Sequence, residues 1–234
     1  MSPSLTNCLR CLFLLGALAA LATAGAGETP LPTVAKGADW RESVRQFAAQ
    51  HLKHPAWGLS HSVRDYELAK TLAADDHVSL DDDVLYAAAY LHDIAAFAPY
   101  EKPEVDHADE AARIVGTLLD GSGFPMGKID AVRGAIRTHM FDRKPGSAEA
   151  VYLHDADALD WLGAIGVARI FALVDPNGGQ PDGPAALKML QDNLKSVPPG
   201  ITSSAGKKRS VARVRELNEY LLNLGSETAG FRTL

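Results

Sequence analysis

Histidine and aspartate occur together inside apolar sequence at several places in this chain. His92-Asp93 ends the run Val84-Leu85-Tyr86-Ala87-Ala88-Ala89-Tyr90-Leu91. Burying an imidazole and a carboxylate there is costly unless each meets a strong partner, and a divalent cation is one such partner. His61 lies seven residues before Leu68 and eleven before Leu72, which puts it on their face of a helix. Asp157 lies in Leu153-His154-Asp155-Ala156-Asp157-Ala158-Leu159-Asp160-Trp161-Leu162, an acidic cluster in apolar surroundings. His61, His92, Asp93 and Asp157 thus make a set of two imidazoles and two carboxylates drawn from three helices. Mixed ligands of this kind suit Mn, Fe, Co, Ni or Zn, whereas all-oxygen sites suit Mg or Ca. Such a set leaves coordination positions for water and a phosphate oxygen, and an ion there lowers the pKa of water and polarises a phosphoryl group. Adjacent helical residues point about 100° apart, so His92 and Asp93 reach one ion only if it sits at the helix end. A second dipeptide, His154-Asp155, is not flanked by a comparable His-plus-Asp set and is excluded as the metal dipeptide.

Other polar residues have two readings each. Asp160 is either an acceptor that orients a ligating histidine or a helix-surface acid. Arg64, Lys102, Arg133, Arg137, Arg143 and Lys144 are candidate phosphate-binding cations, Arg being favoured for its bidentate fork, or else solvated surface charges. Arg169 and Arg213 read as structural, and Gly163 and Gly166 as residues that allow close helix packing.

The elements that must position these groups read as helices throughout. Ala and Leu number 37 and 29 against 14 Val and 7 Ile, a balance of helix formers over strand formers. Asp39 caps a helix predicted over Trp40–His51, and Ser60 caps the next, over His61–Ala74. Asp81 to Asp83 put negative charge at the start of a third, Val84–His92, which is apolar nearly all round and therefore buried. Further helices are expected from Asp106 to Leu119, from Pro125 onward with Ile129, Val132, Ile136 and Met140 facing the core, and over Ser147–Leu162 and Gly163–Val174. A Pro/Gly-rich loop, Asp175 to Pro184, precedes two last helices over Ala185–Leu194 and Gly206–Leu224. No strand pattern and no internal repeat interrupt this succession.

The chain has 234 residues, 47% hydrophobic and 22% charged. That excludes a disordered chain and allows one sizeable core. A net charge of −6 gives no support to a nucleic-acid-binding surface. Residues 1–26 read as a secretory signal peptide, with Arg10 as their one charge, an apolar run from Cys11 and a small-residue end at Ala22-Thr23-Ala24-Gly25-Ala26. The expected location is periplasmic or secreted, with an uncleaved N-terminal anchor as the alternative. Both cysteines, Cys8 and Cys11, fall in the leader. Residues 27–39 read as an exposed linker, 40–227 as one domain and 228–234 as a tail; no later segment is long and apolar enough to span a membrane.

The order His61, His92-Asp93, Asp157 resembles the HD superfamily of metal-dependent phosphohydrolases, all-helical proteins named for the dipeptide. Tyr90-Leu91-His92-Asp93-Ile94 is similar to that family's HD helix end. Asp155-Ala156-Asp157-Ala158-Leu159-Asp160 followed by Leu162-Gly163-Ala164-Ile165-Gly166-Val167-Ala168-Arg169 resembles the branch with a DADxLD and GAIGxAR signature. Gly206-Lys207, Arg213 and Tyr220-Leu221 look like that branch's closing helix. The resemblance runs from about Trp40 to Glu227. It implies an all-α, single-domain helical bundle whose metal ligands are His61, His92, Asp93 and Asp157. The metal is expected to be Mn, Fe, Co or Ni in preference to Mg, with Asp93 serving the activation of the attacking water. The implied partner is a small phosphorylated substrate such as a nucleotide, cleaved at a phosphate ester or pyrophosphate bond. His107 and His139 sit where some superfamily members place ligands of a second metal. His139 reads instead as a group that supports the first site or contacts phosphate, and His107 as a surface or pocket-rim residue. Two other readings stand beside the hydrolase: a di-metal oxygenase-type enzyme, and a metal-binding module without turnover.

Overall fold

The computed structural model describes residues 30–173 and 182–234. The leader read over residues 1–26, the start of the linker and most of the loop between Asp175 and Pro184 lie outside the described residues. The described residues form nine α-helices and no strand: α1 (Trp40–His51), α2 (Leu59–Asp75), α3 (Asp82–Leu91), α4 (His107–Leu119), α5 (Ile129–Arg137), α6 (Ala148–Asp160), α7 (Gly163–Phe171), α8 (Gly183–Ser196) and α9 (Ser204–Glu227). None of these helices is long and apolar enough to cross a membrane.

Helix α3 is the centre of the bundle. Every residue from Val84 to Leu91 is buried, as an all-round apolar helix requires. Asp81 caps it by accepting from the amides of Asp83 and Val84. Arg41 and Lys128 close on Asp81, Asp82 and Asp83, so the acids that favour the helix N-terminus are also ion-paired. Around α3 pack α1, α2, α5 and α6, while α4 lies on α5. Leu72, Leu85, Leu91, Ile136, Leu153 and Leu159 from four of these helices fill the core. Helices α7 and α9 close the side of the bundle behind α6.

The structure moves several boundaries. Ser60 does not cap α2: the helix begins at Leu59 behind Gly58, with no side-chain cap, and the Leu59 amide donates to the Leu52 carbonyl. The segment from Pro125 is a short 3-10 turn, Met126–Lys128, before α5 starts at Ile129, and Met140 lies beyond the helix yet is still buried. The stretch read as an exposed linker is pinned where it is described: Val34 is buried and donates its amide to the Leu118 carbonyl, and Tyr100 donates to the Pro32 carbonyl.

The turn from α6 into α7 depends on glycine. Gly163 has φ +66°, a conformation side chains resist. A Cβ on Gly166 would lie 2.4 Å from the Trp161 carbonyl oxygen. This tight reversal is what brings Arg169 of α7 back against the residues of α2 and α6.

Candidate metal centre

Three helices meet at the inner end of α3: α2, α6 and α3 itself. His61 lies in the first turn of α2 and Asp157 in the last half of α6. His92 is the residue after the last helical turn of α3, and Asp93 follows as the backbone leaves the helix at φ −97°, ψ 7°. The dipeptide therefore sits at a helix end, where both side chains can turn to one point.

The structure brings His61, His92, Asp93 and Asp157 together. His61 Nε2 lies 3.3 Å from Asp157 Oδ1, 3.3 Å from His92 Nε2 and 3.7 Å from Asp93 Oδ2. His92 Nε2 lies 3.3 Å from Asp93 Oδ2. All four residues are buried, Asp93 the most accessible at 7%.

The protons of these rings are committed on the far side. His92 Nδ1 lies 2.8 Å from the Ala89 carbonyl and His139 Nδ1 2.7 Å from the Ile136 carbonyl. A carbonyl only accepts, so each Nδ1 carries the proton and donates it. His61 Nδ1 lies 2.9 Å from Asp160 Oδ2 in the same way. Arg64 also donates to Asp160, and Asp160 is held well below the usual carboxylate range: burial opposes its charge, but His61, Arg64 and Arg169 outweigh it. In the neutral tautomer each ring then turns an Nε2 lone pair inward. Lone pairs and carboxylate oxygens facing one another at these distances repel unless a cation lies among them. Their spacing suits one. Two donors about 2.1 Å from an ion stand about 3.0 Å apart at octahedral angles and about 3.4 Å apart at tetrahedral ones.

Protons meet part of the same need among the side chains themselves. Burial and Arg169 oppose charge on His61, yet Asp157 and Asp160 lift its pKa above the ordinary imidazole value. Burial likewise opposes charge on His92, and Asp93 overrides it. Asp93 is pushed well below the usual range by His92 and His107 against the effect of burial. A divalent ion entering this set displaces protons.

Asp93 has two faces. Its Oδ2 is turned to His61 and His92, while its Oδ1 lies 3.3 Å from His107 Nε2 and 3.5 Å from His139 Nε2. His139 is fully buried, its Nε2 has no hydrogen-bond partner, and burial lowers its pKa, so it presents a lone pair toward Asp93. His92, Asp93 and His139 form a second set of donors whose ligating atoms lie within 4.8 Å of one another. His107, the first residue of α4, stands beside Asp93 in the lining of the pocket, as the pocket-rim reading has it and not the surface one.

Two residues of the site escaped the sequence reading. Asp65 follows His61 by one turn of α2, is 0% exposed, and joins His61, His92 and Asp157 in a set of ligating atoms within 4.8 Å. Its four-residue spacing from His61 was the available signal. Arg169, read as structural, also lines the pocket over the site. It is buried, donates from Nε to the Ala56 carbonyl, stacks 3.7 Å over Trp161, and places Nη2 at 3.3 Å from His61 Nε2.

The pocket that reaches the donors has walls of Trp57, Ala96, Met140, Phe141, Trp161 and Met189, with Asp93, His107, His139, Asp157, Arg169 and Asn193. Arg169 is the one arginine or lysine among the described residues that line it. The cations expected to bind phosphate lie elsewhere: Arg64 is tied to Asp160, Lys102 pairs with Glu110, Arg143 pairs with Asp106 and Asp109, and Arg137 stands near Asp109. Arg133 pairs with Asp130, and Lys144 is exposed. Each guanidinium or ammonium in these pairs is already facing a carboxylate from a neighbouring turn or helix.

Residues 58–162 match the family model described as HD domain. Similar solved structures include one described as a predicted HD superfamily hydrolase from an uncultured Thermotogales bacterium, 26% identical, with a TM-score of 0.54 over 80% of this chain and 90% of that one. An HD-superfamily hydrolase from Bacillus thuringiensis is 24% identical, with a TM-score of 0.57 over 80% of this chain and 95% of that one. YpgQ from Bacillus subtilis, solved in complex with ADP, is 20% identical, with a TM-score of 0.64 over 81% of this chain and 98% of that one. No curated protein matches the chain in sequence.

Proposed function

From the premise that this chain carries an HD domain over residues 58–162 and resembles an HD-superfamily hydrolase in fold, we propose that it is a metal-dependent phosphohydrolase. Its reaction is the cleavage of a phosphate ester or a nucleotide pyrophosphate bond by water. The observation that carries this reading is the inward convergence of the Nε2 lone pairs of His61 and His92 on the carboxylates of Asp93 and Asp157, with the opposite ring nitrogens tied off. These four residues would hold a divalent ion, Mn, Fe, Co or Ni in preference to Mg. Such an ion supplies an acidified water and polarises the phosphoryl oxygen.

The remaining chemistry falls to side chains of the pocket. Asp160 fixes the tautomer of His61. Arg169 would meet negative charge on the substrate. His107 would give a proton to the leaving oxygen. Burial works against its charge, but Asp93 outweighs this and holds its pKa above the ordinary imidazole value. The aromatic and methionine walls receive an apolar body, such as a base or an aryl group. The leader read over residues 1–26 would deliver the enzyme to a periplasmic or extracellular location.

The two-faced geometry of Asp93 favours a second reading, a di-metal centre in which Asp93, His107 and His139 would hold a second ion. That arrangement serves phosphoester cleavage or oxygenase-type chemistry. The test is to strip the full chain of metal, reload it with Mn²⁺, count the ions bound per chain, and assay phosphatase and pyrophosphatase substrates. One ion with turnover supports the first reading and two ions the second. Bound metal without hydrolysis of any phosphate ester or anhydride ends the phosphohydrolase reading.

A further inference from the structure

Asp65 is a buried carboxylate without a donor. It is 0% exposed, and neither of its oxygens has a hydrogen-bond partner. An ionised carboxylate so placed is expensive unless a cation compensates it. Its Oδ2 lies 3.1 Å from His61 Nε2 and 3.8 Å from His92 Nε2. A carboxylate that only orients a histidine accepts from the protonated ring nitrogen, and Asp160 already does this for His61 at Nδ1. Asp65 faces the opposite nitrogens, the ones whose lone pairs converge on the site. It stands there as a donor among donors, on the same side of His61 as Asp157.

We propose that Asp65 is a further ligand of the cation held by His61, His92 and Asp157. The proposal rests on the metal-centre reading given above and adds to it. With Asp65, Asp93 and Asp157 the site offers three carboxylates instead of two. The added oxygen donor favours Mn or Fe over Zn. It also occupies a position that water would otherwise take.

The experiment uses the metal-free full chain titrated with Mn²⁺, with water-proton relaxation counting the exchangeable waters on the bound ion. Asp65→Asn keeps the shape and removes the charge. The expected result is Mn²⁺ binding at least about ten-fold weaker than in the wild type, one more exchangeable water per ion, and an unchanged far-ultraviolet circular dichroism spectrum. Equal affinity and equal water count in the variant overturn the role of Asp65 and leave the metal centre standing. A wild type that takes up neither Mn²⁺ nor Fe²⁺ overturns the metal-centre reading itself and Asp65 with it. Should Asp65→Asn fail to fold, a crystal structure of the Mn²⁺-loaded wild type decides. An Asp65 oxygen within about 2.3 Å of the ion supports the proposal, and one beyond about 3.5 Å overturns it.

Discussion

Asp160 Oδ2 lies 2.9 Å from His61 Nδ1 and thereby decides which nitrogen of that ring faces the site. The same carboxylate accepts from Arg64 and stands 3.3 Å from Arg169 Nη1, so one acid ties α2, α6 and α7 together around His61. Asp160→Asn should therefore weaken metal binding without removing a ligand. The amide can present its NH₂ to Nδ1 and turn the His61 proton inward. Mn²⁺ affinity is expected to fall by about 10–100-fold, with the helical content retained. A calorimetric titration that returned wild-type affinity would show that Asp160 does not set the tautomer.

His107 divides the two metal readings by its kinetics. As the proton donor to the leaving oxygen, His107→Gln should slow kcat by about 10²-fold or more for alkyl phosphate esters. For an aryl ester whose leaving group needs no proton, the loss should be small, and the Mn²⁺ content should stay the same. Equal loss for both esters, together with a fall in bound metal, would make His107 a ligand instead.

The pocket's charge limits what it accepts. Arg169 is the one arginine or lysine among the described residues that line it, and its walls are aromatic and methionine side chains. A nucleoside triphosphate brings several negative charges to one guanidinium, whereas a compact monoester with an apolar group brings two. Monoesters with aryl or base-like bodies should thus show the higher kcat/KM, by about ten-fold or more, since one unmet charge is worth at least that ratio. Arg169→Lys should raise KM for both, because lysine cannot stack on Trp161 and reach the Ala56 carbonyl at once. Faster turnover of triphosphates than of monoesters would refute this account.

The legible parts of the site were those written in local periodicity. His61 shares a helical face with Leu72, and His92-Asp93 ends an apolar helix, so both could be read as buried before any fold was known. Asp65 sits on the face of His61 as well, but Arg64-Asp65 reads as an ordinary polar step in mid-helix. The ion pairs of the cations read as candidate phosphate binders were illegible for a different reason. What neutralises Arg64 is Asp160 on α6, and what neutralises Arg143 is Asp109 on α4, partners that only tertiary packing brings close. Likewise α2 starts at Leu59 because its amide bonds back to Leu52, which no capping pattern at Ser60 could announce. The second His-Asp dipeptide, excluded as a metal site by its surroundings, turns out to anchor the last helix.

Asp155 does that anchoring. It is fully buried, and it accepts from the amides of Thr202 and Ser203 at 2.9 and 2.7 Å, just before α9 begins at Ser204. Gly206 permits the approach, since a Cβ there would lie 2.6 Å from Asp155 Oδ2. Burial alone would raise the Asp155 pKa, but His154, Ser203 and the amides of Thr202 and Ser203 override it and leave the pKa below the ordinary value of 3.8. A folded-state pKa below the unfolded one means the ionised form stabilises the fold. That contribution is complete above the unfolded pKa, near about pH 4, and is lost as pH falls through the lower folded value. Asp155→Asn should cost about 1–3 kcal/mol at neutral pH, because one oxygen that accepts amide hydrogen bonds becomes a donor. The gap between wild type and variant in urea unfolding should narrow as pH is lowered below about 4, where the wild-type carboxylate is also being neutralised. A gap that stayed constant from pH 7 to pH 3 would mean that the charge of Asp155 contributes nothing and that only its shape holds α9 in place.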